Sequence, residues 1–299
     1  MRVGFIGLGN IGGACARHVV AAGHELIVAD LDRGARQRLV AAGAAEAADP
    51  AAVADACEAV LLSLPSPEAS RTVVTGPGGL LSAESPASVV VDLSTNSSGV
   101  TRELHEACAA SGVDFIDCPV SGGSVGAEAG NLTLMPSGDE EAFNKVKDVL
   151  MCFGKEDTQW LGPSGTGTLV KLINNQVFLV GTQVFEEGYL MAAKAGLDLP
   201  RFLEVLRASS AGFYMLLSEM IVNRRWDDST YDLSLAEKDL RLALESADQI
   251  GTPLPLTRAA HGVLARSVEL GLGRNFFIGA LEALEDEAGF TIPIPSRED

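Results

Sequence analysis

The chain has 299 residues, a formal net charge of −18, 47% hydrophobic residues and 21% charged residues. Because soluble domains average roughly 150 residues, this length predicts two domains, and the composition is typical of globular rather than disordered proteins. The acidic balance argues against nucleic acid and against an anionic membrane surface as partners, since both bind basic surfaces. It does not argue against a small anionic substrate, because two lysines can dominate the field inside a cleft.

The cysteines and the absence of a long apolar run favour a reduced, cytoplasmic protein. No apolar stretch reaches about 18 residues, so we expect no transmembrane span, and the start of the chain lacks the pattern of a signal peptide. An odd number of scattered cysteines fits neither a metal-ligand spacing nor a disulfide framework. We expect them to be small buried hydrophobes rather than nucleophiles or metal ligands. They are Cys15, Cys57, Cys108, Cys118 and Cys152.

The first half of the chain alternates short apolar runs with Ala-rich segments of helical periodicity. Uninterrupted apolar runs of this length indicate buried parallel strands. Repeated strand–helix–strand units predict an α/β domain with a Rossmann-type doubly wound parallel sheet, over residues 1–162. The predicted strands are Val3–Leu8, Glu25–Ala29, Ala59–Leu64, Ser88–Leu93 and Val113–Cys118. The predicted helices are Gly12–Gly23, Arg33–Ala42, Thr101–Ser111 and Glu140–Phe153, with helix and loop across Ala41–Ala59.

The second half begins with a glycine-rich loop at Gly162–Gly167 and shows no strand pattern. Thr168–Lys194 contains no proline, which predicts a long helix joining the two domains, although Gly181 and Gly188 leave its continuity open. Residues 163–299 are therefore predicted to form an all-α domain. Its further predicted helices are Pro200–Ala208, Phe213–Asn223, Leu233–Ile250, Pro255–Leu270 and Phe276–Gly289.

A glycine turn follows the first predicted strand. Gly7 allows a tight turn, Gly9 lets the backbone approach a pyrophosphate, and Gly12 lets the next helix pack closely on the strand. The N-terminus of that helix directs its amides at the phosphates. A glycine-rich turn without a ligand is the alternative. We predict that a dinucleotide binds at Gly7, Leu8, Gly9, Asn10, Ile11 and Gly12.

Asp30 ends the second predicted strand, 21 residues after Gly9. A carboxylate at this place accepts hydrogen bonds from the adenine-ribose hydroxyls and repels a 2′-phosphate. Asp30 therefore favours NAD over NADP, while Arg33 keeps NADP as an alternative.

Three further stretches carry groups suited to chemistry. The loop Asp117–Gly130 offers a hydroxyl and consecutive main-chain amides, which suit a carboxylate, but a flexible connection fits equally well. Lys171 and Asn175 share one face of the long helix in an apolar stretch that disfavours a charged amine; a surface lysine is the alternative. The pair Lys238-Asp239 lies on a later helix, where such pairs are usually solvated.

Six motifs now stand in order along the chain: Gly4–Gly12, Leu64-Pro65, Val91–Thr95, Asp117–Gly130, Gly165–Asn175 and Lys238–Leu240. Together they resemble the 3-hydroxyisobutyrate dehydrogenase family, the short branch of the β-hydroxyacid dehydrogenases, which is similar to 6-phosphogluconate dehydrogenase. The resemblance covers essentially the whole chain.

The resemblance implies a role for each motif. Lys171 would be the general acid/base, and Asn175 would hold the substrate oxygen or the lysine. The implied substrate-binding residues are Ser121, Gly122, Gly123 and Asn174. The implied residues on the cofactor side are Leu64, Pro65, Thr95 and Lys238.

The chain departs from the family pattern at several positions. Asn131 stands where threonine is common, and Met135–Gly138 stands where Met-Val-Gly-Gly is usual; we expect these changes to alter packing more than chemistry. Tyr231 lies where the family has a variable aromatic near the substrate tail, so a polar substrate contact and plain core packing are both open. Phe213 and Tyr214 are similar candidates.

The sequence thus predicts an NAD-dependent dehydrogenase that oxidises a small 3-hydroxy carboxylic acid to its semialdehyde or keto acid, or the reverse reduction. One alternative is an NADPH-dependent semialdehyde or imine reductase, although imine reductases generally lack this lysine. Another is a non-catalytic cofactor-binding module, which Lys171 and Asn175 argue against. We also expect a homodimer or homotetramer built through the helical domain.

Overall fold

The computed structural model describes residues 1–212, 220–221, 223–227 and 229–293. The chain divides into two compact units, Met1–Leu172 and Ile173–Asp299. The first unit contains a six-stranded parallel sheet in the order β3-β2-β1-β4-β5-β6. Its strands are β1 (Arg2–Ile6), β2 (Glu25–Ala29), β3 (Ala45–Glu46), β4 (Ala59–Leu62), β5 (Val89–Asp92) and β6 (Asp114–Asp117).

This strand order is that of a doubly wound nucleotide-binding fold, and it confirms the predicted Rossmann-type sheet. Each of the five predicted strands forms. The prediction of helix and loop across Ala41–Ala59 is wrong at Ala45–Glu46, which pairs with β2 as a two-residue edge strand. Both residues are exposed, so no buried apolar run marks the strand in the sequence.

Helices cover both faces of the sheet because successive strand residues point to opposite sides. On β1, Val3 and Phe5 pack into one core while Ile6 packs into the other. The helices on the first face are α1 (Asn10–Ala21), α2 (Arg33–Ala41) and α7 (Glu140–Leu150). Those on the second face are α3 (Pro50–Ala56), α4 (Pro67–Thr75) and α5 (Ser98–Ala110).

A small antiparallel hairpin lies beyond the sixth strand. It consists of β7 (Val120–Ser121) and β8 (Thr133–Leu134), and α6 (Gly123–Glu128) lies between them. The interpretation of Asp117–Gly130 as a possible flexible loop is therefore corrected. This segment is held against α1, where Arg17 forms an ion pair with Glu128.

The second unit is helical. A single helix, α8 (Thr166–Lys194), has 29 residues and begins in the first unit, and neither Gly181 nor Gly188 interrupts it. The other helices are α9 (Leu199–Arg207), α10 (Leu233–Gln249), α11 (Pro255–Ser267) and α12 (Leu281–Ala288). Where this unit is described, it contains no strand, only an isolated bridge between Asp232 and Phe276. This confirms the helical second half.

Most of the predicted helix Phe213–Asn223, with the candidates Phe213 and Tyr214, lies outside the described residues. Among those that are described, no helix combines the length and the apolar character needed to cross a membrane.

The core of the second unit forms between α8 and the helices that follow it. Leu179 and Tyr189 of α8 pack in one cluster with Leu240 of α10 and Leu264 of α11. Phe277 completes the cluster and makes an edge contact with Phe276 at a centroid distance of 4.7 Å. Burial of this apolar face stabilises α8 as one helix, since tertiary packing supplies most helical stability in proteins.

One acidic side chain lies inside this unit. Glu186 is 0% exposed, and its Oε2 accepts a hydrogen bond of 2.9 Å from Gln183 Nε2. Its other oxygen, Oε1, is buried without a hydrogen-bond partner. Burial therefore raises the pKa of Glu186 well above its ordinary value, because a low-dielectric site disfavours the charged form.

We expect Glu186→Gln to raise the Tm by about 2–4 °C at pH 8 and by less at pH 5. As the pH rises past the ordinary carboxyl pKa, the unfolded chain releases this proton while the folded chain retains it, so stability falls with pH. Glutamine keeps the shape and stays neutral. Thermal melts at both pH values test this, with the exposed Glu204→Gln as control. An equal Tm change at the two pH values would contradict it.

Candidate active site

The glycine turn joins β1 to α1 with almost no space to spare, except at one position. A Cβ atom on Gly7 would lie 2.2 Å from the carbonyl oxygen of Ser63, and one on Gly12 would lie 2.0 Å from the carbonyl oxygen of Gly7. A Cβ atom on Gly9, in contrast, would meet no atom within 4 Å. Gly9 is also the N-cap of α1, which no side chain caps. The turn therefore leaves helix amides and open space for an anionic group.

Asp30 lies beside this turn at the end of β2. Its Oδ2 accepts a hydrogen bond from the backbone amide of Leu8, and its Oδ1 accepts one from the amide of Asp32 at 2.7 Å. Asp32 in turn caps α2 through the amide of Gly34. Two carboxylates thus lie at this end of the sheet, while Arg33 is exposed.

A buried carboxylate builds the turn after β5. Asp92 is 1% exposed, and it accepts hydrogen bonds of 2.9 Å from the amide of Ser94 and from Asn96 Nδ2. The Ser94 hydroxyl accepts a bond of 2.8 Å from the amide of Leu64, just after β4. Burial raises the pKa of Asp92. The result is a rigid turn on which Thr95 is partly exposed beside Leu64-Pro65.

These features lie at the carboxyl ends of adjacent strands. The order of the sheet reverses between β1 and β4, and ligands of doubly wound sheets bind in the crevice at that point. The uncapped helix, the open Gly9 and the fixed Asp30 carboxylate fit a dinucleotide there. Asp30 follows β2, Leu64-Pro65 follows β4 and Thr95 lies just after β5, so these residues lie at the same edge of the sheet as the glycine turn.

Ser121, Gly122 and Gly123 lie at the start of the hairpin connection. Ser121 pairs with Thr133 across the hairpin, and Gly122 and Gly123 have φ angles of 134° and 61°. Glycine adopts such positive angles most readily, because it has no Cβ atom. The main chain here is exposed at both glycines and held at its far end, since His18 Nε2 lies 3.1 Å from the carbonyl oxygen of Ala127.

The N-terminus of α8 is held by the end of β6. Asp117 Oδ1 accepts a bond of 2.9 Å from the amide of Gly165. Asp117 Oδ2 accepts bonds of 2.9 Å from both the amide and the hydroxyl of Thr168. The Thr168 hydroxyl also lies 2.9 Å from that of Thr101 on α5. Asp117 is 2% exposed, so its carboxylate bonds to protein groups rather than to solvent.

Ser137 adds a second contact to the same helix end. Its hydroxyl accepts a bond of 2.8 Å from the amide of Gly167, and its backbone pairs in both directions with that of Asp117. Gly167 has no room for a side chain, because a Cβ atom would lie 1.9 Å from the carbonyl oxygen of Met135. The departure at Met135–Gly138 thus supplies a hydroxyl to α8.

Lys171 and Asn175 follow on α8, one helical turn apart. Lys171 is partly buried, and Asn175 is buried while its neighbour Asn174 is exposed. Asn175 Nδ2 donates to Asp239 Oδ2 at 2.6 Å, and Asn175 Oδ1 accepts from Asn174 Nδ2 at 3.0 Å. These bonds orient the side-chain amide of Asn175 and use one of its two N–H groups.

Asp239 also organises the other candidate residues of the second unit. Tyr231 donates its hydroxyl hydrogen to Asp239 Oδ2 at 2.8 Å, and Lys238 Nζ lies 3.1 Å from Asp239 Oδ1. The pKa of Tyr231 is raised well above its ordinary value by burial and by the Asp239 charge. Its ring lies 5.3 Å from that of Phe277. Tyr231 therefore has a partner within its own unit, and its contact with substrate stays a prediction.

Asp117, Ser137 and Asp239 were not predicted as site residues from the sequence. The available signal for Asp117 was position, since Asp30 and Asp92 also stand at the carboxyl ends of strands. Nothing in the local sequence marks Asp239 as the partner of Asn175. Burial raises the pKa of Cys15 to about 12 and that of Cys57 to about 11, which disfavours the thiolate at both positions.

Comparison with known proteins identifies relatives over the full length. The model of the NAD binding domain of 6-phosphogluconate dehydrogenase matches residues 2–162. The model described as NAD-binding of NADP-dependent 3-hydroxyisobutyrate dehydrogenase matches residues 165–279. The chain is 33% identical over 294 residues to 2-(hydroxymethyl)glutarate dehydrogenase of Eubacterium barkeri, which covers 98% of this chain and 97% of the relative.

Two further proteins are similar to this chain over most of its length. A probable mitochondrial 3-hydroxyisobutyrate dehydrogenase of Dictyostelium discoideum is 34% identical over 283 residues, with 92% of this chain and 88% of the relative covered. The structure of Mycobacterium tuberculosis 3-hydroxyisobutyrate dehydrogenase with L-serine is similar with a TM-score of 0.85 at 27% identity, covering 95% of this chain and 98% of that chain.

The sheet, the glycine turn and these similarities define an oxidoreductase that binds a nicotinamide dinucleotide. The chain belongs to the 3-hydroxyisobutyrate dehydrogenase family.

Proposed function

We propose that the protein is an NAD-dependent dehydrogenase that interconverts a small 3-hydroxy carboxylic acid and its semialdehyde or keto acid, with Lys171 as general acid/base. The observation that carries the proposal is the pair of Lys171 and Asn175, one turn apart on a continuous helix, with the Asn175 amide oriented by Asp239. The named activities of the relatives support the substrate class.

Each residue has a distinct task in this proposal. A nicotinamide dinucleotide, which the glycine turn and Asp30 would hold, would supply the hydride acceptor for oxidation and the hydride donor for reduction. Lys171 Nζ removes the proton of the substrate hydroxyl, or donates it to the carbonyl oxygen in the reverse direction. The second N–H of Asn175 binds the same oxygen, and Ser121 with the amides of Gly122 and Gly123 binds the carboxylate. Lys238 contributes positive charge at the nicotinamide end.

NAD is the proposed cofactor because of Asp30. Its carboxylate lies beside the glycine turn and is joined there by Asp32, so a 2′-phosphate would meet two negative charges. Arg36 does not offset them, since its guanidinium binds the carbonyl oxygen of Asp30 and the carboxylate of Glu46.

We expect wild-type protein to have a higher kcat/KM with NAD than with NADP. Asp30→Ala should lower the ratio of kcat/KM with NAD to kcat/KM with NADP by about 10-fold or more. The reason is the loss of both ribose hydrogen bonds and phosphate repulsion, each worth about 1 kcal/mol. Steady-state kinetics with both cofactors measures this, with Asp55→Ala as an exposed carboxylate control. A wild-type preference for NADP would overturn the assignment.

The reaction itself is tested with a panel of 3-hydroxy acids and their semialdehydes, with NAD or NADH followed by absorbance. Oxidation of at least one 3-hydroxy acid supports the proposal. Activity confined to imines, or NADH binding without turnover of any member of the panel, would contradict it.

A homo-oligomer built through the helical unit belongs to the same proposal. Val177, Val184 and Met191 of α8 recur at seven-residue spacing and are 61%, 61% and 72% exposed. Such a stripe suits a second copy of the chain, and light scattering of the purified protein measures the stoichiometry.

A further inference from the structure

The first amides of α8 all have acceptors, and most of these come from far along the chain. An α-helix leaves its first N–H groups without partners inside the helix, and a local N-cap side chain usually supplies one acceptor. Here the amide of Thr166 binds the nearby carbonyl oxygen of Pro163. The amides of Gly165 and Thr168 bind Asp117, 48 and 51 residues earlier in the chain.

The distant acceptors form one structural unit. Asp117 ends β6, and Ser137 pairs with it through two backbone hydrogen bonds of 2.8 and 3.1 Å. Asp117 therefore presents its carboxylate to the amides of Gly165 and Thr168. Ser137 presents its hydroxyl to the amide of Gly167, which lies between them. Because Asp117 and Ser137 are 2% and 0% exposed, water does not compete for these bonds.

The absence of a side chain at Gly167 makes the contact close. A Cβ atom there would overlap the carbonyl oxygen of Met135, so the helix end touches the strand-side backbone directly. The clamp, as we call Asp117 and Ser137 together, therefore holds the first residues of α8 against the end of β6. Lys171 lies one turn beyond Thr168 on a rigid helix, and each residue adds 1.5 Å of rise.

We propose that Asp117 and Ser137 are positioning residues for the reaction: by clamping the N-terminus of α8 they place Lys171 for proton transfer. The inference rests on the proposed role of Lys171. Asp117 contacts helix amides rather than reacting atoms, so its effect on catalysis passes through the helix. Ser137 is a feature of this chain, because it stands where the family pattern has glycine.

The clamp is tested in the full-length protein with Asp117→Asn, Ser137→Ala and the matched pair Thr168→Val and Thr168→Ser. Asparagine keeps the shape of Asp117 but turns an N–H group toward helix donors. Valine removes the Thr168 hydroxyl, whereas serine retains it. Asp49→Ala is the control, because Asp49 caps α3 through the amide of Ala52 and that helix carries no proposed site residue.

We expect Asp117→Asn to lower kcat on the order of 100-fold, since a displacement near 1 Å of a catalytic group costs that much. Ser137→Ala and Thr168→Val should each lower kcat by about 10-fold, and Thr168→Ser should restore it to within about 2-fold. NADH affinity should stay within about 2-fold in each variant. Hydrogen exchange should accelerate in a peptide covering residues 164–172, and Asp49→Ala should lower the Tm without changing kcat.

Two results would overturn the inference: unchanged kcat in Asp117→Asn despite faster exchange, or a loss of kcat matched by an equal loss of NADH affinity. If Asp117→Asn does not fold, the comparison of Thr168→Val with Thr168→Ser decides, because equal kcat in the two rejects positioning. Failure of the proposed function has a different signature, namely wild-type turnover that survives loss of Lys171. Hydrogen exchange reports the clamp independently of that result.

Discussion

Lys171→Ala should lower kcat for the accepted 3-hydroxy acid by about 10²–10⁴-fold, the range for loss of a positioned general acid/base. NADH affinity should stay within about 2-fold, because the glycine turn, Asp30 and the turn after β5 are built without this side chain. The limb of the pH–rate profile that reports deprotonation of the base should disappear with the lysine. Steady-state kinetics from pH 6 to 10, with NADH fluorescence for binding, measures both effects.

Two further lysine variants sharpen the result. Lys171→Arg keeps a positive charge, but a guanidinium does not give up its proton in this pH range. A variant with arginine that is as slow as the alanine variant supports proton transfer, whereas near-normal turnover would show that charge alone suffices. Lys194→Ala is the control at the other end of the same helix, where Nζ binds the carbonyl oxygen of Ala288. It should retain wild-type kcat.

The parts of the fold that the sequence predicts well are those with strong local patterns. The five predicted strands (β1, β2, β4, β5 and β6) are largely buried, so each appears as an apolar run. The edge strand Ala45–Glu46 is short and exposed, and it carries no such pattern. The helix α6 was missed for another reason: Gly122 and Gly123 at its start have positive φ, and such glycines indicate a loop unless the bonds from Arg17 and His18 are known.

The candidate site, like the fold, has features that the sequence predicts and features that it does not. Motifs contiguous in sequence, such as the glycine turn and the Lys171–Asn175 pair, are visible in the sequence. The groups that hold them in place are not, because each acts over a long separation. Asp117 and Thr168 are 51 residues apart, and Asn175 and Asp239 are 64 apart. An aspartate that binds a distant amide has the same local sequence signature as a solvated one, so only the fold distinguishes them.

Gly9→Ala should separate cofactor binding from stability. Because a Cβ atom at Gly9 meets no protein atom within 4 Å, the variant should fold with a Tm within about 2 °C of wild type. The same methyl group would occupy the space over the uncapped N-terminus of α1, where the pyrophosphate is expected to lie. We expect NADH affinity to fall by about 100-fold, equivalent to about 2.7 kcal/mol, which is within the cost of inserting a methyl group into a close contact.

Gly12→Ala provides the opposite signature, which makes the comparison decisive. Its Cβ atom would lie 2.0 Å from the carbonyl oxygen of Gly7, so this variant should lose several degrees of Tm as the helix is pushed from the strand. Gly188→Ala on α8, where a Cβ atom also meets open space, is the control for alanine substitution as such. Calorimetric titration with NADH and thermal melts read the three variants side by side. If Gly9→Ala binds NADH like wild type, the cofactor does not approach the backbone at Gly9, and the placement of its pyrophosphate on α1 is wrong.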